Sequence, residues 1–155
     1  MAELQGVPRG AGTRVAIVMS RFNGQVTSRL LSGAIACLAH YGVREEDVDV
    51  LSVPGAWELP LAARLAADRG AYAAIVALGC VIRGETSHFD FVAGPAANGL
   101  ARVAEETRVP VALGLLTTDD LGQALARAGG RLGNKGWDAA EAALEMADLA
   151  RRLRE

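Results

Sequence analysis

The chain has 155 residues, 51% of them hydrophobic but only 5% aromatic, with a formal net charge of −2. That length suits a single domain with a sizeable core, and the charge argues against a nucleic-acid partner, which would require a basic face. Cys37 and Cys80 lie in apolar runs without CxxC or metal-ligand spacing, so they read as two reduced, buried thiols. No apolar run is long enough to span a membrane, and residues 1–13 lack a signal-peptide pattern. The expectation is a soluble, cytoplasmic protein with no membrane partner.

Residues 1–13, with Pro8 and several glycines, read as a flexible N-terminal arm, and residues 14–155 as one domain. Residues 14–19 form a buried strand. Residues 27–41 place Leu30, Leu31, Ala34, Ile35 and Leu38 at helical spacing, with Gly42 as the stop. Residues 47–53 alternate polar and apolar, as a half-exposed or edge strand does. A helix spans 58–69 and the most buried strand 72–82. Residues 88–107 are helical, with a kink expected at Gly94-Pro95, where proline removes a hydrogen bond. Another apolar strand covers 111–116 and a short helix 119–128. A glycine-rich break at 129–136 leads into a last helix over 138–152, with Ala143, Met146, Ala147, Ala150 and Leu153 as its apolar face. Strand and helix alternate four times, which implies a parallel sheet covered by helices on both faces.

In such a sheet chemistry gathers at the carboxyl ends of the strands. Four loops meet there: Ser20-Arg21-Phe22-Asn23, Pro54-Gly55-Ala56-Trp57-Glu58, residues 83–88, and Thr117-Thr118-Asp119. The third is the most informative, because the apolar run 75–78 feeds a tight polar turn carrying Gly84, Glu85, Thr86 and His88. Histidine is the side chain suited to proton exchange near neutral pH; the other histidine, His40, falls on a solvent-facing helix position. Several residues stand two ways. Phe22 stacks on a planar heterocycle or folds back onto the first helix. Glu58 caps the following helix or accepts from a ligand. Thr86 holds phosphate or caps a helix. Arg127 and Lys135 bind an anion or lie on a solvated face. The glycine-rich break is no P-loop, since it lacks the Gly-Lys-Ser/Thr ending, and no GxGxxG, HExxH, GxSxG or zinc cluster is present.

Four blocks occur together: Arg21-Phe22-Asn23; Pro54-Gly55-Ala56-Trp57-Glu58-Leu59-Pro60; residues 79–90; and Gly114-Leu115-Leu116-Thr117-Thr118 with Gln123, Arg127-Ala128-Gly129 and Gly133-Asn134-Lys135-Gly136. In this order and spacing the chain closely resembles the 6,7-dimethyl-8-ribityllumazine synthase family over residues 14–149. The resemblance implies a three-layer αβα, flavodoxin-like fold with a four-stranded parallel sheet. It implies a condensation of 5-amino-6-(D-ribitylamino)uracil with 3,4-dihydroxy-2-butanone 4-phosphate, giving the lumazine, phosphate and water, without a cofactor or metal. By the same resemblance Phe22 stacks on the pyrimidine, and Ala56, Trp57 and Glu58 line the ring and ribityl pocket. Backbone groups of Cys80, Val81 and Ile82 contact the heterocycle. Glu85 and Thr86 hold the phosphate with Arg127, and His88 moves protons. Leu113 and Lys135 complete the set.

Three features depart from the family's pattern, one of them Gly94-Pro95 in a helix that is normally smooth. Trp57 stands where Phe is usual, and Leu113 where an aromatic is frequent. Family members build the site between neighbouring subunits, with Arg127 supplied by the neighbour, and assemble as pentamers or as capsids of twelve pentamers. The compact break at 129–136 favours the capsid here. The alternatives are a flavin-binding module of the same fold and a catalytically silent, shell-forming relative.

Overall fold

A computed structural model describes all 155 residues. The sheet strands are β1 (Val15–Ser20), β2 (Val48–Val53), β3 (Ala74–Ile82) and β4 (Val111–Thr118). They pair parallel in the order β2-β1-β3-β4. Helices α1 (Gly24–His40), α2 (Leu59–Asp68), α3 (His88–Thr107), α4 (Leu121–Ala126) and α5 (Lys135–Leu153) connect and cover them. The alternation of side chains along β1 and β3 divides the core in two. Val15, Ile17, Val76, Leu78 and Cys80 point toward α1, α4 and α5. Ala16, Val18, Ile75, Ala77 and Val81 point toward α2 and α3. Both central strands are therefore apolar along their length, with Ser20 at the end of β1 as the buried exception, as strands covered on both faces must be.

Small residues let the layers close. A Cβ on Gly136 would collide with the Leu30 carbonyl, so α5 crosses α1 at backbone contact. A Cβ on Gly99 would meet Pro60 at 2.7 Å, which draws α3 against α2 in the same way. Helix α3 runs through Gly94-Pro95 as one helix from His88 to Thr107. Pro95 is solvent-exposed, so the carbonyl it cannot serve is open to water.

Three expectations are corrected. Helix α5 begins at Lys135, three residues earlier than the sequence suggested, because the Asn134 side chain accepts from Gly136 and Trp137 N–H and caps it there. The glycine-rich break is not a plain loop. It forms a two-stranded antiparallel hairpin, β5 (Ala128–Gly130) with β6 (Gly133–Asn134), whose glycines Gly129 and Gly133 take positive φ. The buried face of α5 is Gly136, Ala139, Ala140, Ala143, Leu144 and Asp148, while Met146 and Leu153 lie outside.

Asp148 explains that last difference. Its carboxylate is 1% exposed, accepts Val7 N–H at 2.9 Å and pairs with Arg9 at 3.3 Å and Arg151 at 3.0 Å. The arm, residues 1–13, has no helix or strand. Gly6 and Gly10 are buried in it, and Gly10 N–H donates to the Tyr41 carbonyl while Arg152 donates to the Gln5 carbonyl. No helix is long and apolar enough to cross a membrane.

Candidate functional site

The strand order reverses between β1 and β3, one running on to β2 and the other to β4. The loops after these two strands therefore diverge and leave a crevice at their carboxyl ends. Phe22 leaves β1 into that crevice, and residues 83–88 leave β3 on its other side.

The crevice holds two adjoining cavities that share Phe22, Ala56, His88 and Val92. The outer one, about 550 Å³, is walled by Pro54, Gly55, Trp57, Glu58 and Phe91 as well. The inner one, about 260 Å³, adds Asn23, Cys80, Val81, Ile82, Gly84, Thr86 and Phe89. Nine sequence-nominated residues thus converge: Phe22, Ala56, Trp57, Glu58, Cys80, Val81, Ile82, Thr86 and His88. Glu85 stands in the same loop but lines neither cavity.

The two-way readings can now be examined one by one. Phe22 is 72% exposed and faces the cleft rather than folding back onto α1. Trp57 and Phe91 are 62% and 69% exposed in the same cavity. Three bare aromatic rings around one opening form a surface suited to a flat, partly apolar ligand. Glu58 occupies the cap position of α2 yet makes no capping hydrogen bond, so its carboxylate is left for another donor. Thr86 Oγ1 does serve the start of α3, accepting His88 N–H at 3.3 Å.

Strand register opens the backbone on the floor. Strand β1 pairs with β3 only as far as Met19 opposite Leu78, whereas β4 follows β3 to Ile82. Beyond the end of β1, the Cys80 carbonyl takes its hydrogen bond from Asn23 Nδ2 at 2.8 Å. Alternate residues of a strand present N–H and C=O to the same side, so Ile82 presents both past the end of the β1 ladder. A heterocycle carrying donors and acceptors on its edge fits such a strip. Asn23 can reach Cys80 because it sits in the left-handed region, φ 60°, which asparagine tolerates better than most residues. The Cys80 thiol is buried and held up at about 11 by that burial, so it stays protonated at neutral pH and is no nucleophile.

Arg127 and Lys135 lie elsewhere, in a separate cavity of about 410 Å³ bounded by the end of β4, α4 and the start of α5. Arg127 donates to the Gln123 carbonyl at 3.0 Å. Neither cation has a carboxylate within 4.0 Å, since neither occurs among the ion pairs of the chain. Two cations without an ion-pair partner thus face one cavity, whose lining also includes Asp138. Leu113 lines neither cleft nor cavity and is exposed on the edge strand β4. One chain thus carries an aromatic cleft and, apart from it, a cationic cavity.

Sequence reading missed Phe89, Phe91 and Val92 as cleft residues. The signal was present for Phe91, which stands three residues after His88 on one helix and so shares its face. No three His, Cys, Asp or Glu side chains cluster as a metal ion would require.

The family model described as 6,7-dimethyl-8-ribityllumazine synthase matches residues 12–151. A 6,7-dimethyl-8-ribityllumazine synthase of Gemmatimonas aurantiaca is 58% identical over 149 residues, covering 96% of this chain and 91% of that protein. One of Chlorobium chlorochromatii is 45% identical over 151 residues, covering 97% of each. With agreement along nearly its whole length, the chain belongs to the 6,7-dimethyl-8-ribityllumazine synthase family, transferases of riboflavin biosynthesis.

Proposed function

We propose that the aromatic cleft is the pyrimidine half of the active site, that the cationic cavity is its phosphate half, and that the two meet across neighbouring copies. The observation that carries this is the separation itself: the rings and His88 share one cleft, while the unpaired Arg127 and Lys135 share another cavity of the same chain. The family's reaction is the condensation of 5-amino-6-(D-ribitylamino)uracil with 3,4-dihydroxy-2-butanone 4-phosphate. It needs both halves at one place.

Phe22 stacks on the pyrimidine, Ala56 and Trp57 close the pocket around it, and backbone groups of Cys80, Val81 and Ile82 bind its edge. Glu58 accepts from the ribityl hydroxyls. The loop N–H groups at Glu85 and Thr86 bind the phosphate together with Arg127 and Lys135 of the neighbour, beside Leu113. His88, at the first position of α3, transfers protons as the amine condenses with the ketone, phosphate departs and the ring closes. Positioned proton transfer contributes about 10²–10⁴ in rate, and holding two reactive molecules in register up to ~7–11 kcal/mol. No strong nucleophile is required. No comparison favours the flavin-binding or silent-shell alternative.

The assembly that follows is a homopentamer, and the short hairpin at 129–136 supports a closed capsid of twelve such rings. We place the enzyme in the cytoplasm, with residues 14–155 as its single domain and residues 1–13 as the arm. The test is fluorescence of the product on mixing both substrates with purified protein. Acceleration over the uncatalysed background, reduced about 10²-fold or more by His88→Ala, is expected; unchanged turnover in that variant would remove His88 from proton transfer.

A further inference from the structure

The loop that carries Thr86 and His88 has little support of its own. Every residue from 83 to 88 is exposed. Its backbone is tied to β4 by Arg83 N–H donating to the Thr118 carbonyl at 2.8 Å. The Arg83 side chain adds three further contacts. Its Cζ lies 4.3 Å from the centroid of the Phe89 ring. Its Nε reaches Asp119 Oδ1 at 3.3 Å, and its Nη1 stands 3.8 Å from Asp90 Oδ1.

Each partner leads to part of the site. Phe89 is half-buried and lines the inner cavity beside Thr86 and His88, so the guanidinium backs a ring that forms the cleft wall. Asp119 leads the other way. Its N–H donates to Gln123 Oε1 at 2.9 Å, and the Gln123 carbonyl accepts from Arg127 at 3.0 Å. Phe89, Arg83, Asp119, Gln123 and Arg127 form one unbroken line of contacts between the aromatic cleft and the cationic cavity. Only arginine suits the centre of that line. Its flat guanidinium covers a ring with its face while its edge N–H groups meet carboxylates, which an ammonium does poorly. One exposed ion pair contributes little alone; a stacked cation with a carboxylate on either side restricts the loop in several directions.

We propose that Arg83 is a positioning residue for the condensation, fixing the loop that carries Thr86 and His88 against Phe89 and the end of β4. The proposal rests on the roles given above to Thr86 and His88. It is tested with the full chain carrying Arg83→Met, Arg83→Lys or Asp119→Asn, each first shown to keep the parent's particle mass and melting temperature. Expected for Arg83→Met is a kcat about tenfold lower, because small misplacements of reacting groups are costly, and a raised KM for the butanone phosphate. The Kd for the pyrimidine alone stays within about twofold of the parent. Arg83→Lys recovers part of the rate, since a cation remains over Phe89. Asp119→Asn is impaired by itself but adds nothing to Arg83→Met, since residues of one contact line are not additive.

Kinetics within about twofold of the parent in Arg83→Met, while His88→Ala is impaired, would overturn the positioning role and leave the cleft reading standing. Fully additive effects of Asp119→Asn would overturn it too. A silent His88→Ala would remove His88 from proton transfer, and this proposal with it. Should Arg83→Met fail to fold, the surface substitution Asp119→Asn carries the test: a normal rate there overturns the line of contacts.

Discussion

Glu58 and Arg127 show how much single residues reveal once their neighbours are known. Glu58 sits where a helix-capping carboxylate would be useful, yet makes no cap. Arg127 ends α4 with no carboxylate beside it and only a backbone carbonyl as partner. A buried or half-buried polar group without its natural partner is costly in an isolated chain, and a substrate that completes it gains what the chain lacks. Arg127→Ala is accordingly expected to raise KM for the butanone phosphate about tenfold or more, the scale of a charge-assisted hydrogen bond. The Kd for the pyrimidine should not change; an equal loss there, read by equilibrium titration, would contradict the division of the site. At this scale the sequence was informative about type but not about place. Residue patterns alone left Arg127 and Phe22 with two readings each, and only the family resemblance assigned Arg127 to a neighbour's site.

Among the elements, strands were the most legible. The unbroken apolar runs of β1 and β3 and the alternation of β2 mark buried and edge positions directly, because those patterns follow from which faces are covered. Helix α5 was the least legible. Its apolar residues suggested Met146 and Leu153 as core, but a charged residue, Asp148, lies inside instead. Helical periodicity cannot register a carboxylate satisfied by a backbone N–H 141 residues away. That contact also has a pH signature. The Val7 N–H first, then Arg151, and Arg9 by charge, hold the Asp148 carboxyl below its ordinary value of 3.8. A carboxyl lowered on folding stabilises the folded form above its unfolded pKa, and the contribution is lost as pH falls through the lowered value. Acidification below about pH 4 should therefore loosen residues 5–10 from α5. Faster hydrogen exchange of the Val7 amide as pH falls, corrected for intrinsic exchange, is the expected result. Asp148→Asn should show fast exchange at neutral pH already; a protected amide in that variant would refute the account.

For the molecule as a whole, the proposed shared site accounts for several open surfaces. Phe22, Trp57 and Phe91 leave large apolar faces open, both sheet edges β2 and β4 are unpaired, and the cations stand apart from the rings. Unpaired edges and bare apolar patches are features that an assembly covers. The four-block resemblance named the fold, and the first three blocks stand at the reversal point of the sheet, where topology alone would put a ligand. Assembly size was legible only as an inference from the length of the 129–136 break. Light scattering of the 16.1 kDa chain is expected to give a closed particle of roughly sixty copies; a mass near five chains would leave the shared site intact and defeat the capsid.

The measurement that bears most directly on the shared site is complementation. His88→Ala and Arg127→Ala chains, each impaired alone when butanone phosphate is held well below the parent's KM, are unfolded together, refolded one to one and assayed for lumazine fluorescence under that condition. If one chain supplies His88 and its neighbour Arg127, random mixing rebuilds roughly a quarter of the sites with both halves intact, and activity returns to about that fraction of the parent. If the mixture stays as inactive as its components, while each variant assembles normally, the two halves act within one chain and the shared site is wrong.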